Sequence, residues 1–271
     1  MKQSKHFIFL FGLLSTINFT IAQNALAEDA EARAIMEKVD ARDDGNNQTS
    51  DMEMILIDKR GKQRIRKIRS MSKDVGVDTY RIMFFEKPAD VKNTGFLTYD
   101  YKDENKDDDQ WLYLPALKKS KRISSSDKSG SFMGSDFSYS DMTDRNLQDY
   151  DFYMKKQMQV EGKDVWVIEA IPRSKDVIEE TGYSKSLAFV RKDNYVVIRG
   201  INWVDKGNKL KYMEITDLEQ IDGIWTPKTI QMTTKKGKTT LHKTILNFSD
   251  IKYNQNLDEN LFTVRRLEKG L

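Results

Sequence analysis

The sequence contains no cysteine and has only two histidines and four prolines among its 271 residues. Without cysteine, a disulfide framework, a thiol nucleophile and a cysteine-ligated metal site are all excluded. His6 lies in a segment interpreted below as a leader, so the mature chain would keep His242 alone and could not form a three-histidine zinc site. We therefore expect no metal and no other cofactor, and most classes of enzyme are disfavoured.

Strong charge of one sign is also lacking. Charged residues make up 32% of the sequence and aromatic residues 10%, yet the formal net charge is only +3. Many charges of both signs together with many aromatic rings are typical of a folded chain and not of a disordered one. A nucleic acid is not an expected partner, because its binding requires a strongly positive surface.

The N-terminal residues have the three parts of a cleavable secretory signal. Lys2 and Lys5 form a positive region, residues 7–14 are apolar, and Ala25-Leu26-Ala27 is a small-x-small cleavage motif. The apolar run is too short to span a bilayer, which takes about 20 residues. Cleavage after Ala22 and an uncleaved anchor are the alternatives to cleavage after Ala27.

Cleavage after Ala27 would leave one exported, extracytoplasmic domain of residues 28–271. It would also remove two lysines, so that the formal net charge falls from +3 to +1. No cysteine follows the cleavage site, which excludes a thiol-linked lipid anchor. We therefore predict a diffusing protein.

The mature chain begins with a helical pattern over residues 28–39 and then changes to short strands. Polar turns with glycine, asparagine or aspartate separate the strands, and each strand has an apolar and a charged face. The predicted strands are 51–57, 64–71, 80–85, 96–101, 111–114, 165–171, 186–190, 196–203, 210–218, 225–233 and 239–248. The pattern favours a mainly β fold made of one large antiparallel sheet.

A sheet of about ten strands must curl or close, and a curled sheet encloses a concave apolar face. Seven methionines fit such a face, because their side chains adapt to varied acyl chains. An ordinary core is the alternative interpretation of them. These methionines are Met52, Met54, Met83, Met133, Met142, Met213 and Met232.

One stretch carries a more specific signal. Residues 111–117 read WLYLPAL, and residues 129–141 read SGSFMGSDFSYSD. Together they resemble the signature of the outer-membrane lipoprotein-sorting protein family, an extended form of the LolA/LolB-like periplasmic carriers. The motif covers about 30 residues closely, and the order of strands and the leader agree with this family over essentially the whole mature chain.

The resemblance implies an unclosed antiparallel half-barrel, with a helix and lid loops over its mouth and a cavity for acyl chains. It also implies a soluble monomeric chaperone in the periplasm that carries lipoprotein or lipid from an inner-membrane transporter complex to an outer-membrane acceptor. We expect residues 123–142 to act as a movable lid. The expected contact residues are Trp111, Tyr113, Phe132, Met133, Phe137 and Tyr139, with Gly130 and Gly134 allowing the lid to move.

A basic tract on one predicted hairpin is a second candidate surface. Arg64 and Arg66 share one face of the strand, while Lys67 and Arg69 share the other. These four residues could contact acidic headgroups or an acidic partner, or they could simply protect a strand from edge-to-edge pairing. The acidic loop 103–109 is interpreted as a hairpin tip, because it lacks the calcium-loop pattern.

Two other functions stay open. The same fold could serve as a non-enzymatic adaptor of an envelope transport system of the RND type. A hydrolase is the third hypothesis, based on the S-x-x-K spacing of Ser125 and Lys128, although the accompanying motifs are missing.

Overall fold

The structure is a computed structural model that describes residues 27–103 and 105–270. The predicted leader therefore lies, except for Ala27, outside the described residues. The helices are α1 (Ala30–Asp40), α2 (Lys175–Thr181) and α3 (Val264–Lys269). The strands are β1 (Asn47–Asp58), β2 (Gln63–Val75), β3 (Asp78–Lys87), β4 (Gly95–Asp100), β5 (Asp109–Leu114), β6 (Lys119–Arg122), β7 (Tyr150–Val160), β8 (Lys163–Pro172), β9 (Tyr183–Arg191), β10 (Val197–Val204), β11 (Lys209–Ile221), β12 (Ile224–Lys236) and β13 (Thr239–Tyr253).

All thirteen strands form one antiparallel sheet. Their order across the sheet is β6-β5-β4-β3-β2-β1-β13-β12-β11-β10-β9-β8-β7. Each strand therefore pairs with its neighbour in sequence, except that β1 pairs with β13 and that β6 and β7 are the two edges. Because the edges do not pair with each other, the sheet is not closed into a barrel. The predicted unclosed half-barrel of mainly β structure is confirmed.

The side chains of β1 show how the sequence selects the inner face of the sheet. Met52, Met54 and Leu56 are buried, whereas the residues between them are half-buried. This alternation follows from the two-residue period of a strand. The seven methionines singled out above all belong to, or pack against, the same inner core cluster.

The predicted N-terminal helix is confirmed as α1. Asp29 caps it by accepting hydrogen bonds from the backbone N–H groups of Glu31 (2.9 Å) and Ala32 (3.2 Å). The same carboxylate accepts one from the N–H of Met154 on β7, at 3.2 Å. Buried residues of α1 pack on the inner side of β7 and β8, so the helix covers one end of the half-barrel.

The outer face of β2 to β5 is covered by the C-terminal residues. Leu267 of α3 packs onto Gly95 so closely that a Cβ added there would lie 2.6 Å from Leu267 Cδ1. Trp111 and Tyr113 of β5 pack in this outer cluster together with Phe262. Leu112 and Leu114 point to the inner face instead.

Several elements were not predicted. The basic turn after Pro115 includes the short strand β6, and most of β7 lies before Val160, where the sequence showed no clear strand. The helices α2 and α3, of seven and six residues, are too short for a helical period to stand out.

Among the described residues, no helix is long and apolar enough to cross a membrane.

Candidate functional site

Residues 123–149, here called the covering segment, connect the edge strands β6 and β7 across the inner face of the sheet. Phe132 is 1% exposed and Phe137 is 6% exposed, and both lie in the inner core cluster. The ring centroid of Phe132 lies 5.0 Å from that of Phe96 on β4 and 5.6 Å from that of Tyr139. The segment is therefore packed into the half-barrel and is not a loop raised above it.

Asp136 fastens the covering segment to β12 and β13. Its carboxylate accepts hydrogen bonds from the hydroxyls of Thr234 (2.5 Å) and Thr244 (2.7 Å). Nδ1 of His242 lies 2.7 Å from Asp136 Oδ2. Since a carboxylate only accepts, Nδ1 carries the proton in this contact. His242 thus helps to hold the covering segment on the sheet.

A row of polar side chains crosses five neighbouring strands on the inner face. Ser186, Asn202, Lys211, Thr234 and His242 are consecutive partners in the register of β9, β10, β11, β12 and β13. We call these five residues the polar row. The covering segment lies opposite the row and supplies charged partners to it.

Lys211, in the centre of the row, is held by two groups. Its ammonium donates to the hydroxyl of Tyr183 at 3.0 Å and lies 4.0 Å from Asp141 Oδ2. The Tyr183 hydroxyl donates to the same carboxylate at 2.9 Å. Burial lowers the pKa of Lys211, against the opposing effect of Asp141, and burial raises the pKa of Tyr183 well above its usual value.

Arg145 lies opposite the end of the row at β9. Its guanidinium donates to the hydroxyl of Ser186 at 2.9 Å and lies over the ring of Tyr150, 4.6 Å from the centroid. One hydrogen bond uses only one of the five guanidinium N–H groups.

An apolar cavity of about 440 Å³ lies beside the polar row. Its wall is the inner face of four strands, with α1 and the covering segment on the other sides. The apolar lining residues are Met36, Val39, Phe137, Val177, Leu187, Ala188, Val197, Met213, Ile215, Ile230 and Met232. Its volume falls in the usual range of small-molecule pockets, about 300–1,000 Å³.

A second, larger cleft of about 810 Å³ adjoins this cavity. Six residues line both spaces: Asp144, Arg145, Asn146, Asp149, Val177 and Glu180. Twelve carboxylates but only four basic side chains line the cleft. The site therefore consists of an apolar cavity that opens beside a polar, acidic cleft.

Asp100 is the most perturbed carboxylate of the acidic cleft. Burial raises its pKa to about 6, and the nearby Asp144 adds to the effect while Arg81 opposes it. Arg81 donates to Asp100 Oδ2 at 2.9 Å and to Asp144 Oδ2 at 3.2 Å.

No group of three or more histidine, aspartate or glutamate residues in the described part of the chain could hold a metal ion.

The structure brings only part of the predicted contact set together. Phe137 lines the cavity, and Phe132, Met133 and Tyr139 pack in the adjoining core. Trp111 and Tyr113 lie on the opposite face of the sheet, so their placement with the other four was wrong. The reason is the two-residue period of β5, which points Leu112 and not its neighbours inward.

The two glycines predicted to allow lid motion differ in their surroundings. Gly134 has φ +74° and open space around it, a conformation that favours glycine. A Cβ on Gly130 would lie 2.9 Å from the carbonyl oxygen of Asp127, so this position lies in a tight turn.

The basic tract is not one surface. Arg64 and Lys67 are exposed, and Arg69 forms an ion pair with Asp51 at 2.7 Å. Arg66 is only 9% exposed, and its guanidinium donates to the carbonyl oxygen of Met133 at 2.5 Å. Arg66 therefore holds the covering segment and is not available to a partner.

The serine–lysine pair of the hydrolase hypothesis does not form. Ser125 Oγ donates to Asp107 Oδ2 at 3.0 Å, while Lys128 Nζ donates to Glu180 Oε1 at 2.5 Å. Each group is directed to a different carboxylate, so the lysine is not placed to activate the serine.

The polar row was missed by the sequence analysis. Asn202 lies on a predicted strand between Gly200 and Val204 on the same face, whereas Lys211 follows Lys209 on its own face. A single polar residue on an otherwise non-polar face was the signal that could have identified Asn202. Arg145 gave no such signal, because it lies outside regular structure.

Comparison with known proteins agrees with the architecture. A model of a family described as an uncharacterized protein matches residues 77–269. An outer membrane lipoprotein-sorting protein domain from Vibrio parahaemolyticus is 35% identical to the chain, with a TM-score of 0.79. That alignment covers 88% of this chain and 98% of the other. No match was found among curated proteins.

Two further structures are similar. A DUF1329 family protein from Desulfovibrio piger is 30% identical, with a TM-score of 0.80 over 89% of this chain and 99% of the other. A LolA superfamily protein from Nitrosomonas europaea is 19% identical, with a TM-score of 0.65 over 87% and 98% of the two chains, and shows the fold alone.

The half-barrel of this chain has the fold of the LolA superfamily protein from Nitrosomonas europaea. The chain belongs to the DUF1329 family, because it is 30% identical to the family's protein from Desulfovibrio piger over most of both chains, and a family model covers residues 77–269. The resemblance stated from the motif of residues 111–141 is confirmed.

Proposed function

We propose that the protein is a periplasmic carrier that shields acyl chains of a lipoprotein or lipid while they pass from the inner to the outer membrane. The observation that carries the proposal is the apolar cavity of about 440 Å³ between the sheet, α1 and the covering segment. A donor complex in the inner membrane and an acceptor in the outer membrane would be its partners. The leader pattern of residues 1–27 supports the periplasmic location.

Burial of an acyl chain in the cavity is enough to explain such a function without catalysis. Each methylene group removed from water contributes about 0.8 kcal/mol, so ten of them contribute about 8 kcal/mol. This free energy corresponds to a dissociation constant of about 1 μM. Such an affinity would hold a chain during diffusion and still permit its release to a tighter acceptor.

Lipid extraction followed by mass spectrometry tests the proposal on protein purified from its native periplasm. We expect acyl lipids or acylated peptides in an amount comparable to the protein. If no lipid co-purifies and none exchanges into the purified protein, the carrier function is wrong. A transport-pump subunit that co-purifies equally with the filled-cavity variant below would favour the adaptor function instead.

Gly200→Ile is the matched cavity variant. Gly200 lines the cavity on β10, and a Cβ added there would lie 3.5 Å from Met213 Cβ, an ordinary contact distance. An isoleucine suits a strand and fills part of the cavity. We expect this variant to lose bound lipid, whereas Thr240→Ile, on an exposed position of β13, should keep it.

A further inference from the structure

Asn202 carries a side-chain amide without a partner. The residue is 9% exposed, it lines the apolar cavity, and its side chain makes no hydrogen bond to any described residue. The polar atoms of this amide are not fully enclosed by the described residues, so they reach the open space of the cavity. The amide therefore has a free donor and a free acceptor at the surface that a bound molecule would contact.

A cationic donor lies next to this amide. Asn202 is the direct register partner of Ser186, whose hydroxyl accepts the hydrogen bond from Arg145. Arg145 lines both the cavity and the acidic cleft. Arg145 and Asn202 thus offer N–H donors at the polar end of a mainly apolar cavity, where they would donate to a carbonyl or phosphate oxygen.

The volume of the cavity limits the apolar part of the ligand. A cavity of about 150 Å³ holds one benzene, which has six carbon atoms, so 440 Å³ holds roughly 18 carbon atoms. This capacity suits one acyl chain and not the two or three chains of a phospholipid or of a triacylated lipoprotein.

The acidic cleft determines which charge is favoured on the polar head group of the ligand. With twelve carboxylates and four basic side chains, it repels a net anion and attracts a cation. The cleft begins at the residues that it shares with the cavity, so the outer part of a head bound near Arg145 would face these carboxylates.

From these observations we propose that the cavity binds a single-chain zwitterionic amphiphile of the lysophosphatidylethanolamine class. Its acyl chain lies against the apolar wall, a carbonyl or phosphate oxygen accepts hydrogen bonds from Asn202 and Arg145, and its ammonium group faces the acidic cleft. The inference rests on the proposed carrier function and names the cargo class of that same site.

Displacement of a fluorescent acyl probe tests which head group and how many acyl chains the cavity accepts. All lipids are used at concentrations below those at which they aggregate. The competitors are 1-palmitoyl-lysophosphatidylethanolamine, palmitate and dipalmitoyl phosphatidylethanolamine. We expect the lysolipid to bind about tenfold more tightly than palmitate, because the cleft repels the anion, and more tightly than the two-chain lipid. Equal or tighter binding of palmitate or of the two-chain lipid would overturn the inference and leave the carrier function standing.

Asn202→Leu tests the role of the amide. We expect it to weaken binding of the lysolipid about tenfold, because one hydrogen bond to a charged or carbonyl oxygen is lost. Asn247→Leu, on the outer face, where Asn247 accepts from Thr229 at 3.1 Å, is the matched control and should bind normally.

Asn202→Asp distinguishes loss of the hydrogen-bond donor from a folding defect. It keeps the size of the side chain and replaces the amide donor by a negative charge. A folded aspartate variant, verified by circular dichroism, should bind the lysolipid still more weakly than the leucine variant. Unchanged affinity in both variants would overturn the inference. If neither the lysolipid nor any other lipid displaces the probe from the wild-type protein, the carrier function itself fails.

Discussion

Asp136 Oδ2 lies 2.7 Å from Nδ1 of His242, and this contact joins the middle of the covering segment to the sheet next to the cavity. Thr234 and Thr244 donate to the same carboxylate, whose side chain is 2% exposed. The covering segment is therefore fixed by one buried acceptor that serves three donors. An opening of the segment must first separate these groups.

Removal of this acceptor should destabilise the protein. We predict that Asp136→Ala lowers the free energy of unfolding by about 3 kcal/mol, because the buried Thr244 hydroxyl, the half-buried Thr234 hydroxyl and an imidazole lose their partner. Urea denaturation measures the effect. Asp127→Ala, on the same segment with a side chain 53% exposed, is the control and should leave the midpoint unchanged. A similar midpoint for both variants would show that Asp136 does not fix the segment.

The acidic cleft should make stability depend on pH in a defined direction. The pKa of Asp100 is raised to about 6 from an ordinary value of 3.8, so between these values the folded state binds more protons than the unfolded state. The stability that this group contributes is therefore fully present below about pH 3.8 and is lost as the pH rises through about 6, by on the order of 2 kcal/mol.

Asp100→Asn tests this dependence. The variant cannot ionise, so its unfolding free energy relative to wild type should rise between pH 4 and pH 7. Denaturation curves at several pH values give the difference directly. A constant difference across this range would mean that the Asp100 carboxyl titrates at its ordinary pKa in the folded protein.

The alternation of apolar residues predicted most of the sheet, as β1 illustrates with Met52, Met54 and Leu56. Strand β6 could not be predicted in this way, because Lys119-Ser120-Lys121-Arg122 contains no apolar residue. It forms because it pairs with β5. The strand is stabilised by a tertiary contact, and local sequence patterns do not report such contacts.

The candidate site was harder to predict than the sheet. The motif of residues 111–141 identified the covering segment and Phe137, but adjacency in sequence wrongly joined Trp111 to it. The polar row depends on the registers of five strands, which are set by turn geometry and bulges, such as the shift between Thr234 and Lys235. Asn202 and Ser186 become neighbours only once that register is known.

The contact between Gly95 and Leu267 predicts a steric effect on the outer face. A methyl group at position 95 would lie 2.6 Å from Leu267 Cδ1 and 3.3 Å from the backbone oxygen of the same residue. We expect Gly95→Ala to destabilise the protein by about 1–2 kcal/mol, because α3 must shift. Thermal unfolding measures the loss. Gly200→Ala is the control, since its methyl group meets neighbours at 3.5 Å or more, and a comparable loss there would contradict the steric explanation.

Lys128 links the covering segment to α2, and its replacement should affect local motion more than global stability. The Lys128 side chain is 2% exposed and its ammonium lies 2.5 Å from Glu180 Oε1, which belongs to a side chain 32% exposed. Lys128→Met keeps an apolar stem of similar length, and Glu180 can be hydrated once unpaired. We therefore expect a change of less than about 1 kcal/mol in unfolding free energy.

Hydrogen exchange should nevertheless reveal the lost link. Peptides from residues 128–142 and from α2 should exchange faster in Lys128→Met, because the two elements lose the ion pair that joins them. Lys121→Met is the control and should leave exchange unchanged, because it removes an ion pair between two exposed side chains, Lys121 (69%) and Asp127 (53%). Exchange that is unaltered in both regions of Lys128→Met would show that the packing of Phe132 and Phe137 alone holds the covering segment over the cavity.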